Sequence, residues 1–231
     1  MKKTTMMRLF ALVLALMMVL CACGDSKDQI SGTVTPAATE AAEKEMSLGR
    51  IEGGIYTNNY VGFQMELDSN WTYYSAEELQ DIPSNVAEMF KDSELGQNVD
   101  TVNQFTDMMA ESVEDLASIN VLCQKMDVQT RLVYATMDDE AIVDMMLEQS
   151  DLLIEAYASA GITVEKIEKV TVNFLGQQRF ALKTTSSIEG LPYIALQLFE
   201  YHLGQYSVTT TFATYLEDNT ESLLDLCTPL T

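Results

Sequence analysis

The chain has 231 residues, 47% of them hydrophobic, and a formal net charge of −22. That apolar fraction suits one globular domain after a targeting segment, and it excludes a disordered chain. So acidic a surface repels phosphate backbones and anionic lipid headgroups, which argues against nucleic acid as a partner and against charge as a membrane attachment.

The amino terminus opens with Lys2, Lys3 and Arg8, followed by an uncharged apolar run from Leu9 to Leu20. Those 12 residues fit a signal-peptide core of ~7–15 and fall short of the ~20 that a spanning helix needs. The next residues, Leu20-Cys21-Ala22-Cys23-Gly24, resemble the bacterial lipobox, with Leu at −3, a small residue at −1 and Cys at +1. The resemblance implies cleavage after Ala22 and diacylglycerol on the Cys23 sulfur, which suffices for stable anchoring. Cys21 at −2 departs slightly from the pattern. Choosing it as the acylated residue would put Leu20 where a small residue belongs. Removal of residues 1–22 leaves 10 basic and 35 acidic side chains, a net charge of −25.

Residues 23–48 carry the lipidated cysteine and a polar, Ser/Thr/Ala-rich stretch with few apolar side chains. This reads as a flexible tether spanning ~25–30 Å. A single domain is expected over 49–231. Tyr56, Tyr60, Phe63, Met65 and Leu67 predict one or two strands broken at Asn58-Asn59. Ser75-Ala76-Glu77-Glu78 is a capping box. It opens a short helix that Pro83 ends, with a second helix over Ser84 to Lys91 and a loop over 92–103. Residues 105–112 suit helix or strand. The turn-like Val113-Glu114-Asp115 before Ile119 to Cys123 favours a strand and a hairpin.

Apolar residues at helical spacing predict one long helix from Asp139 to Ala160, capped by Asp138 and closed by Gly161. Four strands follow, over 162–172, 178–185, 191–201 and 205–214, with connections too short for anything but antiparallel neighbours. A last helix is expected over Asn219 to Cys227. The fold class is α+β, an antiparallel sheet with packed helices. The opening of the domain, with Gly62-Phe63 leading through a strand to Asp68-Ser69-Asn70-Trp71, resembles PsbP-like α/β domains. The turn lacks that family's Pro and Gly. The resemblance implies a PsbP-like sandwich and no particular activity.

Chemistry-bearing residues are few. His202 is the single histidine, which removes multi-histidine metal sites. Glu200 shares its strand face, yet a hydrogen-bonded hairpin histidine explains it more simply than a metal pair. Cys123 and Cys227 lie in apolar patterns that suit buried thiols, although an exported chain also permits a disulfide. Asp138-Asp139-Glu140 lacks calcium-loop spacing and suits a helix start. Met108, Met109, Met145 and Met146 read as core filler, and Trp71 as a core plug. No catalytic residue, cofactor or metal site is expected. The expectation is a monomeric, lipid-anchored, non-catalytic binding or interaction module on the extracytoplasmic face of the cell membrane. Its partners would be the membrane, through the anchor, and a basic protein or envelope component. The alternative is an envelope-glycan hydrolase using a carboxylate pair.

Overall fold

The computed structural model describes residues 45–89, 103–201 and 204–230. The signal segment, Cys21, Cys23, residues 24–44 of the tether, residues 90–102 and His202 lie outside the described residues. The strands are β1 (Arg50–Glu52), β2 (Ile55–Asn58), β3 (Phe63–Glu66), β4 (Trp71–Tyr73), β5 (Gln104–Ser112), β6 (Ala117–Lys125), β7 (Ile162–Phe174), β8 (Gln177–Ile188), β9 (Leu191–Glu200), β10 (Tyr206–Tyr215) and β11 (Cys227–Pro229). The helices are α1 (Ala76–Met89), α2 (Val128–Tyr134), α3 (Asp139–Glu148), α4 (Ser150–Ser159) and α5 (Thr220–Leu224).

The strands form two antiparallel sheets, which makes the fold α+β as the sequence implies. One has seven strands in the order β4-β5-β6-β10-β9-β8-β7, and the other has four in the order β1-β2-β3-β11. Tight turns build the large sheet. Leu175-Gly176 and Glu189-Gly190 all have positive φ, the requirement of a two-residue hairpin whose twist matches its strands. Residues 104–112 are a strand, and they pair with β6 as the predicted hairpin. The ladder slips between Thr106 and Met108, which leaves Asp107 as a bulge.

Three expectations about helices are corrected. The predicted long helix is two, α3 and α4, meeting at Gln149 with φ −98° and ψ 10°. Ser150 and Asp151 favour the first turn of a new helix over the middle of an old one. Pro83 does not end α1, which runs on to Met89; the helix gives up a single backbone donor there. The final helix stops at Leu224, and Cys227 lies in β11 opposite Met65. Pro229 is tolerated because β11 is an edge strand. The short helix α2 and strand β1 were not expected at all. The predicted caps are present: Ser75 and Glu78 exchange bonds at α1, Asp138 Oδ1 accepts from the Ala141 amide at α3, and Gly161 closes α4 with φ 77°.

Both faces of the large sheet are buried, which is why β6, β9 and β10 are covered along nearly their whole length. The four-stranded sheet packs on one face. Tyr56, Phe63 and Met65 meet Met108, Ile119, Val121, Val208 and Phe212 there, with Leu223 and Leu224 of α5. On the other face Ile142, Val143, Met146, Leu153, Ala156 and Tyr157 of α3 and α4 meet Met109, Leu122, Leu182 and Phe199. No helix among the described residues is long and apolar enough to cross a membrane.

Beside α5, Asp218 pairs with Lys183 and accepts from the Thr220 hydroxyl at 2.8 Å. Burial works against the charged carboxylate, but Lys183 and Thr220 outweigh it and hold Asp218 below the usual carboxylate range. Its stabilisation is therefore present above an ordinary carboxylate pKa of about 3.9 and lost as pH falls through the lower folded value. Asp218 is 43% exposed, so Asp218→Asn is expected to lower stability at pH 7 by less than ~1 kcal/mol. Urea unfolding should show that difference shrinking toward pH 3.

Candidate functional site

The site lies on the helix-facing side of the large sheet and follows from register. Leu122, Leu182, Ala195, Phe199 and Ala213 belong to the core beneath the helices. Side chains two apart along a strand share a face. Asn120 and Gln124 therefore join Leu122, while Thr209 and Thr211 join Ala213. Gln197 lies between Ala195 and Phe199, and Thr184 joins Leu182. Asn120 pairs with Thr211, and Thr211 with Gln197, so three polar side chains form one row across β6, β10 and β9. Paired side chains of this kind sit ~4.5–5.5 Å apart at Cβ. Thr209 is the next residue on this face of β10, and Thr106 of β5 stands opposite Leu122. A buried polar side chain thus occurs on this face of every strand from β5 to β8.

Few of these groups are satisfied. Gln197 Nε2 donates to Thr211 Oγ1 at 3.3 Å. Asn120 Oδ1, Gln124 Oε1, Gln197 Oε1 and the hydroxyls of Thr106, Thr184 and Thr209 have no hydrogen-bond partner among the described residues. Every one of these six residues is at most 8% exposed. An unpartnered buried polar group costs about 1–3 kcal/mol, and native proteins leave few of them. Six on one sheet face is a dense cluster, or floor, of buried polar groups without protein partners among the described residues.

α1 lies along β5, whereas α3 packs on β8 and β7 and α4 on β7. Rings stand around the polar row. Tyr134 meets Tyr201 with centroids 4.2 Å apart, Phe199 meets Tyr201 at 6.2 Å, and Tyr193 meets Tyr215 at 5.2 Å. Burial pushes the Tyr157, Tyr193 and Tyr215 hydroxyls well above the ordinary phenol range, so these rings are neutral. No floor residue named above is ionisable.

If the floor sacrifices stability, filling it with isosteric apolar groups should restore some. Thr209→Val and Thr184→Val are each expected to raise the unfolding free energy by about 1 kcal/mol, read as a higher urea midpoint at unchanged m. A loss of stability in both would mean that the hydroxyls are satisfied by internal water.

The residues singled out in the sequence are mostly placed elsewhere. Cys123 and Cys227 are free, buried thiols in the core between the sheets, and burial raises both, Cys227 to about 12. His202, the conceivable metal partner of Glu200, lies outside the described residues. Glu200 accepts from Arg179 at 2.7 Å, and Asp139 takes the other side of the same guanidinium. Glu140 and Asp144 both hold Lys169, at 2.8 and 2.7 Å. Met108, Met109 and Met146 are buried in the core, and Met145 and Trp71 pack at its margins. Asp127 caps α2 and is held below the usual carboxylate range by the Thr130 amide, the direction opposite to that of a general acid.

A second polar cluster, on the other face, was also missed. The bulged Asp107 accepts from Tyr56 Oη at 2.5 Å, from Asn58 Nδ2 at 2.8 Å and from the Gly49 amide at 3.0 Å to each oxygen. Asn58 also donates to Tyr56 Oη at 2.8 Å and accepts from the Tyr60 and Val61 amides. Gly49 is required for this approach, since a Cβ there would meet the Tyr56 ring and Asp107. The cluster ties the start of the domain to the large sheet.

No protein-family model and no curated protein sequence matches the chain. Among solved structures it is similar to the solution structure of cyanobacterial PsbP (CyanoP) from Synechocystis, with a TM-score of 0.41 and 10% sequence identity over 84% of this chain and 94% of that one.

Proposed function

We propose that this chain is a lipid-anchored, extracytoplasmic binding module, on a domain of the PsbP-like kind that its opening residues resemble, and that it holds a small molecule on the polar floor of the large sheet. The observation that carries this reading is the set of six buried, unpartnered polar side chains on one sheet face. A site lined by apolar and aromatic walls with a few convergent polar groups is the usual form of a small-molecule seat. Binding is favoured over acid–base catalysis because the carboxylates of Asp139, Glu140, Asp144, Glu200 and Asp218 are engaged by basic side chains. The floor itself offers no nucleophile stronger than a threonine hydroxyl.

Attachment is tested separately. Cys23→Ala is expected to abolish incorporation of labelled fatty acid and release the protein from the membrane fraction, whereas Cys21→Ala leaves both unchanged. Label retained by the Cys23 variant sinks the anchor. Binding is tested by screening the purified full chain for ligands that raise its melting temperature and repeating the hits with Asn120→Leu. A hit that binds the variant equally well does not use the floor.

A further inference from the structure

We propose that the molecule held on this floor is a neutral, polyhydroxylated one, a sugar unit bearing neither acid nor amine. This rests on the binding reading above and narrows it.

The floor groups set the chemistry. Three of the unpartnered atoms are side-chain amide oxygens and three are hydroxyls, all at most 8% exposed. Carbonyl oxygens accept and hydroxyls both donate and accept. An apolar ligand would leave these atoms as they are and gain nothing from them. A ligand that satisfies them needs several donors along one edge, with acceptors among them. Sugar hydroxyls meet both demands, and they serve whichever end of an amide faces them.

The floor side chains carry no charge of their own. Asn120, Gln124, Gln197, Thr106, Thr184, Thr209 and Thr211 carry none. Arg179 is matched by Asp139 and Glu200, Lys169 by Glu140 and Asp144, and Glu111, on the same sheet face as Met109, accepts from the Tyr74 hydroxyl at 3.0 Å. A charged ligand would lose its hydration and meet no counter-ion, the costly case in a buried site. The rings of Phe199 and Tyr193 on β9, Tyr215 on β10, Tyr201 just after β9 and Tyr134 of α2 belong to the core on this face. They offer apolar surface to the carbon–hydrogen faces of a sugar ring, and burial keeps the Tyr193 and Tyr215 hydroxyls neutral.

Spacing supports a ligand of that size. The row Asn120–Thr211–Gln197 crosses three neighbouring strands, and strands lie ~4.7–4.9 Å apart. The row is therefore ~10 Å wide, enough for one sugar ring or two linked rings lying across the strands.

The test uses the isotope-labelled full chain and follows the side-chain amide signals of Asn120, Gln124 and Gln197. Glucose, N-acetylglucosamine and its linear tetrasaccharide are the neutral probes, and glucuronate and glucosamine are the charged ones. The expected result is saturable shifts with a neutral probe and at least tenfold weaker binding of the charged probes. Preference for the tetrasaccharide points to an envelope glycan as the source, and preference for a monosaccharide to a free sugar. Asn120→Leu and Gln197→Leu should each weaken binding about tenfold, one hydrogen bond's worth, with melting temperatures equal to or above that of the parent. Equal or tighter binding of glucuronate or glucosamine at these signals overturns the neutral-sugar inference and leaves the seat standing. Shifts produced only by an apolar probe such as toluene do the same. If no probe of any class moves these signals, and they instead show contacts to long-lived internal water, both the inference and the seat fail.

Discussion

Asp107→Ala is expected to lower the unfolding free energy by about 3–5 kcal/mol, because it strips a buried network of its charged acceptor. The Tyr56 hydroxyl and Asn58 Nδ2 both donate to this carboxylate, and both residues are fully buried. Asn58 Nδ2 keeps its second bond, to the Tyr56 oxygen, whereas the Tyr56 hydroxyl loses the carboxylate it donates to. The Gly49 amide also loses its partner. Asp107→Asn keeps one acceptor oxygen in place and is expected to cost about half as much. Urea unfolding of the full chain with both variants checks this. Losses below about 1 kcal/mol in Asp107→Ala would contradict the network's role as the fastener of the domain's first strands.

Phe212→Ala is expected to cost a similar ~3–5 kcal/mol, through lost burial plus the cavity left behind. Phe212 is fully buried between the sheets. Its ring stands 6.1 Å from Phe174, which stands 5.9 Å from Phe63 of the small sheet. The three rings join β10, β7 and β3, so the substitution opens a gap where both sheets meet and no single side chain can close it. Phe105 contacts Tyr206 at 6.0 Å but is only partly buried. Phe105→Ala should therefore cost clearly less than Phe212→Ala. Equal costs for the two, measured by thermal unfolding, would mean that the core collapses around the missing ring.

The sequence announced the parts of the fold governed by local rules. Hairpins marked by Gly176 and Gly190 were legible because only certain residues accept positive φ. The caps at Ser75 and Asp138 were legible because a side-chain oxygen and an orphan amide are neighbours in sequence. What failed depended on tertiary context. The break at Gln149 lies within an unbroken apolar period, so nothing but the polar pair after it hinted at two helices. α2 was hidden because Val128, Leu132 and Val133 face outward, so its apolar pattern does not trace a core face. Cys227 followed a helical pattern to a point where the small sheet needed a fourth strand.

The candidate floor was invisible for a related reason. Thr209-Thr210-Thr211 reads as strand propensity, and Gln197 and Asn120 are lone polar residues in apolar runs. Only the pairing of β6, β10 and β9 places them side by side, and pairing is a property of the register. The usable signal was there in retrospect. A glutamine inside Tyr193-Ile194-Ala195-Leu196-Gln197-Leu198-Phe199, in a strand buried along its length, has to be satisfied or put to use.

Among the described residues, the 13-residue strand β7 is paired on one side only. A bare ladder of that length is a template on which a second molecule could add its own strand, the first step toward a fibril. This edge is guarded. Glu165 is bulged out between Val164 and Lys166, which breaks the even spacing that an incoming strand would need. Lys166 pairs with Glu168, and Lys169 is tied to α3, so the middle of the strand is studded with ions that would have to be dried before any contact. Copies that meet at this border would therefore glance off one another instead of zipping together.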